Sequence, residues 1–412
     1  MKIDKDSALE LIIIGSELLT PYFTDKNSIY LTRELNSLGM EVTFKTTVGD
    51  DLKNLMTAIR ESLHRAQLIF ATGGLGPTRD DNTREAFAEV LQKKLIFDEQ
   101  VLRRIEARFR QRGIAMPAVN RKQAYIIEGA EVIENQHGTA PGMWLETESR
   151  IIVLLPGPPH ELVPMCENSV WPRLRKMGLT TTKRKIIKMA DTTESEVESQ
   201  ISDLYQATGE VKISTLAYPG QIEIHLSSSS EEALAEMEGK IKERIKEKIF
   251  STQGEELEEV VGLLLRKRNA TLAVAESCTG GLLGNRLTNV PGSSDYFILG
   301  VVAYSNEAKI RELDVPSALL IKKGAVSEEV ALAMARGVRI KAGSAYGLGI
   351  TGIAGPGGGS REKPVGLVHI ACDFEEKALC SKNIFLGSRE RIKFQATQKA
   401  LDMLRKELQK GS

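Results

Sequence analysis

Thr271-Leu272-Ala273-Val274-Ala275 followed by Glu276-Ser277-Cys278-Thr279-Gly280-Gly281 decides how the last third of the chain is read. Thr271 to Ala275 is a short apolar run of the length and composition of a buried strand, and the two glycines open a helix after it. A strand that ends in such a turn is the unit of an α/β sheet, which holds ligands at its carboxyl edge. A helix start there offers unpaired N–H groups and a positive dipole end to an oxyanion or a phosphate. On these residues alone, Ser277 is equally a plain N-cap and Gly280-Gly281 a packing turn.

Further along, Tyr304-Ser305-Asn306-Glu307-Ala308-Lys309 ends another strand and supplies a lysine. Held in a partly apolar pocket, a lysine loses its proton nearer neutrality and takes the place of histidine as a serine's base. No histidine lies in these motifs, so a base has to come from elsewhere. Taken singly, Lys309 also reads as a surface lysine, Asn306 as a cap and Tyr304 as a core residue. The run Gly349 to Ser360 is a strand and a glycine-rich loop containing Thr351 and Gly355, and Arg389 adds a cation at the close of a later strand.

The first third repeats the logic. Strands are predicted at Leu9 to Gly15, Glu41 to Val48, Leu68 to Thr72, Tyr125 to Ile127 and Ile151 to Leu155, in a mostly parallel sheet. Helices are predicted at Ser28 to Leu38, Leu52 to His64, Asn82 to Leu91 and Asp98 to Arg112. Between strand and helix sits Gly73-Gly74-Leu75-Gly76-Pro77-Thr78-Arg79-Asp80-Asp81. Its glycines bare backbone donors to phosphates, and the adjacent carboxylates of Asp80 and Asp81 suit a hard divalent ion. The same two aspartates equally suit an acidic helix start.

From Val170 to Thr252 the pattern shifts to a small α+β segment, with strands at Lys183 to Met189 and Ile222 to Ser227 and helices at Glu194 to Ala207 and Glu231 to Ile249. The last segment opens with a helix from Leu257 to Arg268 and closes with one from about Arg391 to Leu408. The expected organisation is therefore two α/β domains, 1–170 and 253–412, joined by an α+β domain at 171–252. The chain's 412 residues are too many for one ordinary core.

With 55 basic and 55 acidic residues the chain is neutral, which gives no electrostatic footprint for nucleic acid or a membrane surface. The middle segment has no Gly-x-x-Gly backbone clamp. Four cysteines without Cys-x-x-Cys spacing and five scattered histidines support neither a disulfide framework nor a zinc site. The N-terminal apolar run is too short for a signal segment, so a cytoplasmic location is expected.

In order along the chain, AESCTGG from Ala275, YSNEAK from Tyr304, GAVSEE from Gly324, TGIAGPGGGS from Thr351, KPVG from Lys363 and GSR ending at Arg389 resemble the PncC-type nicotinamide-nucleotide amidase domain of the CinA (competence/damage-inducible protein A) family. The resemblance covers about Glu255 to Leu408. It implies hydrolysis of nicotinamide mononucleotide to nicotinic acid mononucleotide and ammonia without a cofactor. Ser277 is then the nucleophile, Lys309 the base, Tyr304 an orienter of substrate or lysine, and Thr351 and Arg389 further polar site positions that touch the substrate or its phosphate. Backbone groups of Cys278, Thr279, Gly280 and Gly281 are candidate oxyanion donors, with Asn306 and Gly355 beside the substrate. A thiol mechanism at Cys278 is the weaker reading, since no Cys-His pair accompanies it.

Over about Leu9 to Pro172, Gly15-Ser16-Glu17, Asp25-Lys26-Asn27, GGLGPTRDDNT, the Asn120 region, HGTAPG from His137 and LPGPPHEL from Leu155 resemble the same family's molybdopterin-binding (MogA/MoeA-like) domain. That resemblance implies a metal-dependent ADP-ribose pyrophosphatase yielding AMP and ribose 5-phosphate. Glu17, Asn27, Gly73, Gly74, Gly76, Thr78, Pro156, Gly157 and Pro158 would line its pocket. Asp80 and Asp81 would hold Mg, Mn, Co or Ni, potassium being a second cation. Ser16 and the Pro-Gly-Pro-Pro turn depart mildly from the family pattern. Glu194-Ser195-Glu196 and Tyr218-Pro219-Gly220 match its KH-type linker, read as a spacer in a homodimer. The alternatives are an active amidase with a nucleotide-binding scaffold in front of it, and an interaction protein of DNA uptake or repair.

Overall fold

The computed structural model describes residues 7–147, 149–177, 182–206, 209–375 and 377–410. Two compact units divide the chain, Met1–Lys183 and Arg184–Ser412.

In the first unit a six-stranded sheet runs in the order Val42–Val48, Leu9–Ile14, Leu68–Thr72, Ile151–Leu155, Gly142–Glu146, Ala130–Ile133. The first four strands pair in parallel and the last two add antiparallel. Leu9–Ile14 is buried throughout because alternate residues feed opposite cores: Ile12 and Ile14 enter one, Leu11 and Ile13 the other. Helices Lys26–Ser37, Leu52–Arg65, Thr83–Val90 and Glu99–Gln111 lie where periodicity places them, within three residues at each end.

Three expectations are corrected. Tyr125–Ile127 pairs with Leu95–Phe97 in a separate two-stranded ribbon and not with the main sheet. The antiparallel pair Ala130–Ile133 and Gly142–Glu146 joins the sheet although neither segment was expected as a strand. The helix Trp171–Lys176 buries Trp171 and Leu174 in the first unit's core, so this unit continues past residue 170.

The second unit begins with a four-stranded sheet in the order Lys212–Tyr218, Gln221–Ser228, Lys183–Ala190, Ile249–Ser251, packed with helices Glu194–Gln206 and Glu231–Ile245. The expected end of the first of these helices, Ala207, lies outside the described residues. The second stops four residues early, and Ile249 opens a short strand against Met189. Lys212–Tyr218 was not expected. It is an edge strand whose residues are all exposed or only partly buried, so it carries a weak apolar pattern.

A five-stranded sheet follows in the order Phe297–Val302, Leu272–Glu276, Tyr346–Gly352, Leu367–Phe374, Lys377–Ile384, the first three parallel and the last two antiparallel. Helices Leu257–Lys267 and Arg389–Gln409 cover one face and Glu328–Ala342 the other. Gly347 and Gly349 let that last helix lie directly on the sheet. A Cβ on either would come within 2.2 Å of Ala335 O or 2.5 Å of Ala331 O. The terminal helix also ties back to the four-stranded sheet, through Lys406 on Asp191 at 2.8 Å and Gln398 on Gln221 at 2.9 Å.

Candidate active site

At the carboxyl end of Leu272–Glu276 the chain turns through Ser277, whose N–H still pairs with Ile350 O at 3.0 Å as if the strand continued. The side chain is therefore fixed by the sheet. Lys309 comes from the helix Asn306–Leu313, capped by Ser305, and is 1% exposed. Its Nζ lies 3.1 Å from Ser277 Oγ, 2.9 Å from Ala303 O and 3.4 Å from Tyr304 O.

Among the described residues no carboxylate lies within ion-pair distance of that nitrogen. Burial holds Lys309 below the ordinary lysine pKa, against a smaller opposing pull from the Cys278 sulfur and the Glu307 carboxylate. A neutral amine matches the three neighbours: two N–H groups for two carbonyls, and a lone pair for the serine hydroxyl.

Glu276 changes how the turn is read. Its buried carboxylate accepts from the N–H groups of Gly281 at 3.1 Å, Leu283 at 3.0 Å and Gly284 at 2.8 Å. The start of the helix Leu282–Thr288 is thereby filled by the chain's own anion. Gly280 N–H pairs with Ser277 O at 3.1 Å. The expectation of free donors at Gly280 and Gly281 is thus corrected, because both N–H groups are already bonded. The N–H groups of Cys278 and Thr279 have no partner among the described residues, and they remain the turn's available donors.

Around this pair, Arg389 donates to Gly355 O at 2.8 Å and to the Tyr304 hydroxyl at 2.9 Å, locking the glycine-rich loop and Tyr304 together. Gly355 has φ +76, and a Cβ there would strike Val365 at 2.6 Å. Thr351 is buried and donates to Ala325 O at 2.8 Å, so its hydroxyl anchors the Gly324–Ser327 turn and makes no hydrogen bond to Ser277 or Lys309. Asn306 is exposed at the first turn of the lysine's helix.

In the first unit, Gly73 to Thr78, Glu17, Asp50, Asp80, Asp81, Pro156, Gly157 and Glu161 line a pocket of about 420 Å³. Gly73 is obligatory there: at φ +107 a Cβ would meet Ile14 O at 2.0 Å. Asp81 Oδ2 accepts from Thr78 N–H at 2.7 Å and Thr78 Oγ1 at 2.6 Å. Lys122 donates to Thr78 O and Asp81 O, both at 2.8 Å, and buried Arg84 to Leu75 O at 2.9 Å. Asn27 faces an adjoining pocket with Glu17. Its Nδ2 donates to Gly157 O at 2.7 Å and Thr72 Oγ1 at 3.1 Å, while its buried Oδ1 has no partner among the described residues.

Matches to known proteins cover nearly the whole chain. The CinA C-terminal domain matches residues 254–408, the damage-inducible protein CinA KH domain 184–251, and the probable molybdopterin binding domain 10–176. A CinA-like protein of Koribacter versatilis is 44% identical over 413 residues, covering 97% of this chain and 99% of its own length. The chain belongs to the CinA family. Another CinA-like protein, from Solibacter usitatus, is 45% identical over 406 residues, with 97% and 98% covered. A crystal structure of a competence-damaged protein (CinA) superfamily protein from Klebsiella pneumoniae is 34% identical, covering 37% of this chain and 95% of its own, with a TM-score of 0.36.

In this CinA family member, Ser277, Lys309, Tyr304, Gly355 and Arg389 thus meet in one hydrogen-bonded set, while the Thr351 hydroxyl is spent on Ala325 O outside it. Glu276, Asp50, Lys122 and Arg84 are the contributors that motif reading passed over. Only Glu276 left a usable signal, a carboxylate at the last position of a buried strand, four residues before a glycine pair. For a metal, no group of three or more His, Cys, Asp or Glu side chains converges among the described residues. An ion at Asp80 and Asp81 would have to complete its shell from water and a ligand's phosphates, since these two carboxylates are no protein-only cage. No helix among the described residues is long and apolar enough to cross a membrane.

Burial pushes the Cys278 thiol up to about 12, so it stays protonated near neutrality. The native protein at pH 7.5 should therefore keep its full Ser277-dependent activity after iodoacetamide treatment. Rapid stoichiometric inactivation, abolished in Cys278→Ala, would reinstate a thiol mechanism.

Proposed function

We propose that the C-terminal site is a nicotinamide-nucleotide amidase. The observation that carries this reading is the 3.1 Å contact between Ser277 Oγ and a buried lysine that has no counter-ion among the described residues. Lys309 takes the serine proton as Oγ attacks the carboxamide carbon, which the cationic pyridinium ring makes electron-poor. The negative oxygen so formed is met by the N–H groups of Cys278 and Thr279. The lysine then hands its proton to the leaving nitrogen, ammonia departs, and the acyl group remains as a serine ester. A water molecule, deprotonated by the same lysine, attacks the ester, and the lysine returns that proton to Ser277 Oγ as nicotinic acid mononucleotide leaves. Ammonia release from nicotinamide mononucleotide by the purified chain tests this directly, and no ammonia above the heat-inactivated control overturns it.

A second activity is favoured by the first unit's pocket, where a glycine loop stands beside five carboxylates, Glu17, Asp50, Asp80, Asp81 and Glu161. This arrangement supports metal-dependent cleavage of ADP-ribose to AMP and ribose 5-phosphate, in which a divalent ion held by Asp80 and Asp81 would neutralise phosphate charge. The chain's own residues bind the diphosphate through loop N–H groups and brace the loop through Lys122 and Arg84. Asp81→Ala removes both a metal ligand and the tie on Thr78. It should lower AMP release by at least about a hundredfold and leave ammonia release within twofold of wild type. Loss of both activities from this one change would sink the reading of independent sites.

A further inference from the structure

We propose that Lys393 is the phosphate anchor and a specificity-determining residue of the Ser277 site, setting its preference for a nucleotide over the phosphate-free nucleoside. The inference rests on the amidase reading above. A nucleotide monoester carries close to two negative charges at neutral pH and needs a cation whose charge and donors are not already committed. Among the described residues, the cationic side chains of Lys309, Arg389 and Lys393 stand beside the Ser277 turn. Lys309 is buried, bonded to two carbonyls, and has to be neutral to act as a base. Arg389 has both terminal nitrogens engaged, with Gly355 O and the Tyr304 hydroxyl.

Lys393 is different. It lies four residues beyond Arg389 on the helix Arg389–Gln409, so the two share a face. Its Nζ stands 3.6 Å from the point where a Cβ on Gly280 would sit. Gly280 has φ +63 and no side chain, so nothing from this residue separates the ammonium from the turn that carries Ser277. Lys393 is half-buried, and no hydrogen bond or ion pair engages its Nζ among the described residues. An ammonium held beside a catalytic turn, with all three donors free, is a ready anion site. The first two turns of a 21-residue helix add their positive end to it. Arg389 then acts as the clamp on the loop and Tyr304, and Lys393 supplies the uncommitted charge.

The test compares kcat/KM for nicotinamide mononucleotide and nicotinamide riboside in wild type, Lys393→Gln and Lys393→Arg. The nucleotide-to-nucleoside ratio should fall about 10- to 100-fold in Lys393→Gln, mostly through KM, since a charge-assisted hydrogen bond to phosphate is lost. Lys393→Arg should keep the ratio within about fivefold of wild type. A ratio in Lys393→Gln within twofold of wild type overturns the proposal, as does an equal loss of kcat on both substrates. If the wild type releases no ammonia from either substrate, the amidase reading itself fails. Calorimetric titration with nicotinic acid mononucleotide then decides the anchor separately. Binding at least tenfold weaker in Lys393→Gln supports it, and equal affinities overturn it.

Discussion

Ser277→Ala should reduce ammonia release from nicotinamide mononucleotide by at least about a thousandfold, because the proposed nucleophile is gone. The fold should not change with it. Among the described residues Ser277 Oγ has one hydrogen-bond partner, Lys309 Nζ, and the backbone tie from Ser277 N–H to Ile350 O survives the substitution. The melting temperature should therefore stay within about 3 °C of wild type, and nucleotide affinity within about threefold, which separates loss of chemistry from loss of binding. ADP-ribose cleavage should be unaffected. Near-wild-type ammonia release from a verified Ser277→Ala preparation would mean that the nucleophile is another group.

The parts of this site that were legible in the sequence are those whose environment is local. Ser277 is flanked by a buried strand and two glycines, and both features are properties of eleven consecutive residues. The same is true of Gly73, where a strand runs straight into a position that only glycine tolerates. What was illegible depends on side chains that meet across long stretches of chain. Lys309 reads equally as a base and as a surface lysine, and what decides for the base is its burial beside Ala303 O and Ser277 Oγ, residues 6 and 32 positions away. Lys393 sits in a polar stretch of the terminal helix, and nothing in its neighbours marks it as facing Gly280.

Glu276 shows the opposite error. Read by proximity to Ser277 it belongs to the motif, yet its carboxylate is turned backwards into the next helix, where it replaces the external anion expected there. Strand pairing was the other gap. Leu95–Phe97 and Ile249–Ser251 are three-residue strands, too short for a period-2 pattern to register, and only their partners define them.

Lys309 gives the sharpest pH test. Burial lowers its pKa, so the neutral, active amine dominates at a lower pH than for an exposed lysine. The sign follows. Below the lowered pKa the nitrogen is protonated and cannot take the serine proton, so kcat/KM should rise with pH along a limb of unit slope. It should level off once the amine is neutral, short of the ordinary lysine range near 10.5. Lys309→Met removes the base and should lower kcat/KM by at least about a thousandfold across the whole profile. Lys309→Arg is the more informative change. It keeps a cation near Ser277, but a guanidinium does not deprotonate in the accessible range, so it should be as inactive as Lys309→Met and show no rising limb. Were charge alone the contribution of Lys309, the arginine variant would retain activity, and the base assignment would fall while Ser277 stood.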